Sequence, residues 1–216
     1  MENKNIKRIT NITYPAFAAL ALGCFAILST AHAVYPPPDG GYPNNNTAEG
    51  TGALFNLTTG SENTANGYEA LYSNTTGSQN TATGDLALFM NNTGSNNTAN
   101  GIQALSSNRN GYYNTASGSQ ALGSNTYGDD NTAIGYQALV NNTYGSDNTA
   151  TGYQALFSNR GGYDNTAIGY QALYNNTGQN NTAIGYFALG NNITGNSNIA
   201  LGYLAGTEAR DGGQQY

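Results

Sequence analysis

Asn165-Thr166-Ala167-Ile168-Gly169-Tyr170-Gln171-Ala172-Leu173 is the stretch that decides the fold, because the chain repeats it. Asn opens a copy at 46, 63, 80, 97, 114, 131, 148, 165, 181 and 198. The step is 17 residues except between 165 and 181, where it is 16. With the Asn as position zero, position two is Ala, position four Gly and position seven Ala in every copy. Position eight is Leu from Leu54 to Leu189, until Gly206 breaks the series. The copy from Asn131 carries the same set, Ala133, Gly135, Ala138 and Leu139, as do Asn165, Ala167, Gly169, Ala172 and Leu173. A Gly closes each copy, from Gly60 to Gly212. A fixed period of this length predicts stacked units that bury their faces against one another.

No apolar stripe of helical period survives among the recurring Gly and Asn, so the expectation is an all-β chain. It reads as a parallel β-solenoid, or left-handed β-roll, of about ten 17-residue coils. Thr-Ala-x before the Gly is a short strand, and the Gly at position four permits a bend. Residues five to nine, Tyr170 to Tyr174 in the copy quoted, are expected to form a second strand. A polar turn follows, as in Asn74-Thr75-Thr76-Gly77-Ser78, and the one-residue deletion falls in it. Stacking at roughly 4.8 Å per coil puts like on like and gives a rod of roughly 45 Å. Asn at position zero then forms an amide ladder, and a second Asn series from Asn74 to Asn192 forms another.

The Leu column has two readings. Pointing outward, it is an apolar stripe that drives self-association, worth roughly 15–25 kcal/mol at most. Pointing inward, it fills the coil's own interior and leaves the single chain stable. Position five is Tyr in the last five copies. This row of Tyr136, Tyr153, Tyr170, Tyr186 and Tyr203, with the Asn rows as exposed partners in a polar Asn/Thr/Tyr face, is the candidate contact surface.

Before the repeats, Lys4, Lys7 and Arg8 precede an apolar run from Ala16 to Leu28, and Ala31-His32-Ala33 offers a cleavage site. Residues 1–33 therefore read as an export signal, and the product as secreted or held at the cell surface. Lipoprotein processing at Cys24 and an uncleaved anchor are the rival readings. A Pro/Gly-rich linker (34–43), the repeat domain (44–212) and a short tail (213–216) complete the layout. Beyond residue 33 there is no Cys, His or Lys, and three Arg against eleven carboxylates give a charge of −8. That balance suits neither nucleic acid nor a polybasic lipid contact, and no disulfide is available.

Without His, Cys or Lys the usual nucleophile–base pairs are missing, so no enzyme and no cofactor are expected. Asp130, Asp147 and Asp164 recur at one coil position, with Asp129 beside them. They read as a solvated edge, with a calcium site as the sharper alternative and no calcium dependence expected. Thr81/Thr83 and Thr149/Thr151 give Thr-x-Thr in two copies only, too few for a continuous ice-binding array.

Asn180-Asn181-Thr182-Ala183-Ile184-Gly185 resembles the Asn-Ser-Val-Ala-Ile-Gly motif of YadA-like head repeats in trimeric autotransporter adhesins. The likeness spans about 44–212. It implies a left-handed parallel β-roll, a homotrimer of chains side by side, and attachment to a host matrix protein, a glycan or another cell surface. The family's repeat is usually shorter and has an apolar residue where this chain has Thr. No coiled-coil stalk or anchor barrel follows the repeats, so the expectation is a fibre segment. The alternative is a structural or phage-tail-like rod without a receptor site of its own.

Overall fold

The structure, a computed structural model, describes residues 42–207. The expected export signal, nearly all of the linker and the tail lie outside the described residues. Position two faces inward and positions one and three outward, the alternation that a strand imposes. The result is ten three-residue strands, β1 (Thr47–Glu49), β2 (Thr64–Asn66), β3 (Thr81–Thr83), β4 (Thr98–Asn100), β5 (Thr115–Ser117), β6 (Thr132–Ile134), β7 (Thr149–Thr151), β8 (Thr166–Ile168), β9 (Thr182–Ile184) and β10 (Ile199–Leu201). They form one parallel sheet in chain order. The register is like on like: Ala116 pairs with Ala133, Ala150 with Ala167 and, across the shortened step, Ala167 with Ala183. The expected β-solenoid is the fold.

The expected second strand is not there. Positions four to eleven instead run through three overlapping turns. In the second coil these are closed by Ala70 N–H to Gly67 O at 3.3 Å, Tyr72 N–H to Glu69 O at 3.3 Å and Asn74 N–H to Leu71 O at 3.1 Å. The cause is in the side chains. Ala172 and Leu173 are adjacent and both fully buried, whereas a strand sends neighbours to opposite faces. The backbone resolves this by entering the left-handed region at positions six and eight, with φ of 52° at Gln171 and 53° at Leu173. Each such residue costs roughly 1–2 kcal/mol. The segment still bonds its neighbours on both sides. Gln171 N–H donates to Tyr153 O at 2.9 Å, and Leu173 N–H donates to Ala188 O at 2.9 Å. Burying the Leu contributes about 1.5–3 kcal/mol against that backbone cost.

Among the described residues every buried hydrophobic side chain is Ala or Leu, and every buried polar one is Asn. The Leu column from Leu71 to Leu189 is at most 1% exposed in the single chain. It fills the interior, so the outward reading and the association it was to drive are overturned. Small Ala columns at positions two and seven let the two walls approach, and Leu at position eight fills the space left.

Two glycine columns are required by the stack. Gly135 has φ 126°, and a Cβ there would lie 2.5 Å from the carbonyl oxygen of Gly152 in the next coil. The closing glycines meet a similar limit, since a Cβ on Gly111 would sit 2.5 Å from Gly128 O.

Candidate binding face

The Asn rows, expected on the contact surface, are instead buried, because each amide is used within the stack, where it holds the coils in register. Asn80 Nδ2 donates to Asn63 Oδ1 at 3.1 Å and to Gly94 O at 2.9 Å. The second ladder runs from Asn74 through Asn91, Asn108, Asn125 and Asn142 to Asn159, with steps of 2.8–3.1 Å. It is interrupted at the shortened coil and resumes where Asn192 Nδ2 donates to Asn176 Oδ1 at 2.9 Å. Asn176 Nδ2 reaches Gly178 O at 2.9 Å and no longer reaches Asn159. Asn159 Oδ1 is left buried without a partner.

A third ladder was missed from sequence. Gln103, Gln120, Gln137, Gln154 and Gln171 link Nε2 to Oε1 at 2.7–3.0 Å. Gln recurs at position six in five consecutive copies, and that recurrence was the signal available. The ladder lies directly beside position five.

Position five carries the candidate tyrosines, and the structure brings all of them together. Successive ring centroids from Tyr136 to Tyr203 are 5.4, 5.1, 5.0 and 5.2 Å apart, with interplanar angles of 4–20°. Tyr136, Tyr153, Tyr170 and Tyr186 are 42–47% exposed and Tyr203 is 74% exposed, and the three rings from Tyr153 to Tyr186 are the inner ones. Each inner ring therefore has its faces against its neighbours and presents an edge and a phenol oxygen outward. Other rings stack as well: Phe55 on Tyr72, Tyr72 on Phe89 and Phe157 on Tyr174 at position nine, and Tyr127 on Tyr144.

Beside the tyrosines, across the position-four Gly, lies the outer face of the sheet. Ile134, Ile168 and Ile184 are exposed there at position three. Position one is Thr from β1 to β9. The hydroxyls of Thr132, Thr149, Thr166 and Thr182 make no hydrogen bond to any described residue. The earlier coils differ, with Glu49 at position three and Tyr68 and Asp85 at position five. Tyr68 is pushed above the ordinary phenol range by its hydrogen bond to Glu69 and by that carboxylate's charge.

Asp130, Asp147 and Asp164 are exposed at a left-handed corner, with φ of 54°, 58° and 54°. Asp129 Oδ1 accepts from Tyr112 N–H at 2.7 Å. No group of three His, Cys, Asp or Glu among the described residues is placed to hold a metal ion. An open groove on the turn side is lined by Phe89, Met90, Arg109 and Tyr127 with neighbouring Ser and Asn. Its lining contains one cation, Arg109, and no carboxylate. Compared with known proteins, the chain matches no family model, no curated protein and no solved structure.

Proposed function

We propose that this chain is an exported, non-catalytic fibre segment that attaches to cells or to an extracellular matrix through the outer face of its later coils. The observation that carries this is the row of stacked tyrosines from Tyr136 to Tyr203. The core needs none of these rings, because Ala, Leu and Asn complete it. Exposed aromatic side chains with a polar tip are effective contact groups at low ordering cost. Solenoids bind over a face, and a ladder of identical residues supplies one. The lack of His, Cys and Lys beyond residue 33 supports a role without catalysis or cofactor.

The likeness to trimeric adhesin heads supports a homotrimer. The Leu column contributes nothing to such an assembly, so any contact between copies uses exposed rows. The test is to express the full-length sequence, recover the secreted product, and measure its binding to cells and matrix-coated surfaces against concentration. Saturable binding supports attachment. Linear, non-saturating retention would favour a rod without a receptor site.

A further inference from the structure

We propose that the face formed by positions one, three and five of the last five coils binds a linear, uncharged polysaccharide laid along the stacking axis, one sugar unit per coil. This rests on the attachment reading above and names its ligand class.

The match begins with spacing. The tyrosine row repeats every 5.0–5.4 Å. A sugar unit in an extended chain of equatorially linked hexoses advances by nearly one such step, with alternate units turned over, so like units recur every two coils and stay in phase with the row. An extended peptide alternates its side chains every two residues, about 6.6–6.8 Å, and drifts out of phase within two coils. A one-dimensional ladder therefore favours a polymer with one residue per coil. From Tyr136 to Tyr203 there are four steps, roughly 19 Å at the strand spacing, so about five units are engaged.

The chemistry agrees with the spacing. Face-on stacking of a sugar on an isolated ring is not what this row offers, because the inner rings cover one another. It offers phenol oxygens at a fixed interval, with free Thr hydroxyls in a parallel row. Between them the exposed Ile134, Ile168 and Ile184 provide apolar contact for the C–H faces of a sugar chain. Positions one, three and five hold no charged residue in these five coils. The exposed Asp130, Asp147 and Asp164 lie two positions from the Thr row and would repel an anionic polymer.

The face is also pre-ordered. Gln137, Gln154 and Gln171 are tied at 2.8 Å beside the tyrosines, so little side-chain freedom remains to be lost on binding. Each coil adds one weak contact, and affinity should rise steeply with glycan length up to about five units.

The experiment is retention of the secreted product on insoluble cellulose and chitin, with polygalacturonate as the anionic comparison and matrix-coated surfaces as the protein comparison. The expected result is saturable retention on a neutral glycan that survives 1 M salt, where the Debye length is roughly 3 Å. The double variant Tyr153→Ser/Tyr170→Ser should lose about tenfold in retention, the equivalent of two modest hydrogen bonds. Phe55→Ser/Tyr72→Ser, in the early coils, should lose nothing. Tyr153→Phe/Tyr170→Phe keeps the ring stack and removes the same two hydrogen bonds, so it too should lose about tenfold, which isolates the hydroxyls from any loss of folding. No retention on either neutral glycan, or equal loss in the early and late variants, overturns the proposal. Binding to cells or matrix without retention on neutral glycan overturns the ligand class and leaves attachment standing. Binding to nothing overturns both.

Discussion

Asn97 donates to a single oxygen of Asn80 twice, from its backbone N–H at 3.0 Å and from its Nδ2 at 3.1 Å. Asn97 Oδ1 in turn accepts the same pair from Asn114, at 3.0 and 3.2 Å. Each buried Asn is thus a two-sided clamp between coils. Asn97→Ala strips the acceptor from two donors of Asn114 and removes the Nδ2 donor from Asn80 Oδ1 and Gly111 O, while the backbone N–H to Asn80 stays. The expected cost is about 3–5 kcal/mol, two or more buried groups losing partners at roughly 1–3 each. Urea denaturation monitored by circular dichroism measures it, and a loss below about 1 kcal/mol would mean that the clamp is replaceable.

Gly135 and Gly161 make a matched pair. Gly135 sits at φ 126° with the next coil's carbonyl in the way, whereas a Cβ on Gly161 meets nothing within 4 Å. Gly135→Ala should destabilise by on the order of 3 kcal/mol from backbone strain and overpacking. Gly161→Ala should stay within about 0.5 kcal/mol. Thermal melts of the two variants side by side decide this, and equal effects would contradict the close approach of the coils.

Leu122 is fully buried in the single chain. Leu122→Ala should therefore cost about 2–5 kcal/mol as a cavity inside one chain. Its solution mass by light scattering should equal that of the unaltered protein. A variant that changes mass while keeping its melting temperature would return the Leu column to an interface.

The period, the parallel like-on-like stack and both Asn ladders were legible in the sequence, because each rests on columns of one residue type at one spacing. The path of positions five to nine was not read correctly. Residues such as Tyr170 and Leu173 favour strands by composition, yet the adjacent invariant Ala and Leu already implied two neighbours facing one way, which a strand forbids. The tyrosine row was legible as a row. That its rings stack on one another, leaving edges outward, depends on side-chain geometry that spacing does not convey. The Gln ladder was hidden because Gln begins only at the fourth copy and ends at Phe187.

The shortened coil carries its own prediction. Asn159 Oδ1 is buried and unpaired because Gly178 follows Asn176 by two residues where the other coils have three, and Asn176 Nδ2 keeps its bond to the closing Gly while losing the one to the preceding Asn. Inserting one Gly between Thr177 and Gly178 restores the 17-residue step and lets Asn176 donate to Asn159. The expected gain is about 1 kcal/mol. A lower melting temperature would show that the short turn is the better-packed one.

The claim on which the account rests is that position n of one coil lies one strand spacing from position n of the next, and cysteine cross-linking reads this directly. Ile134→Cys/Thr151→Cys places two thiols on partners paired in adjacent strands, at roughly 4.8 Å and within the 4.4–6.8 Å that a disulfide spans. Ile134→Cys/Ile168→Cys separates them by two strand spacings, roughly 9.6 Å, beyond that reach. Under mild oxidation the first pair should close within one chain and the second should not. Closure of the second pair in preference to the first would contradict the stacked coil.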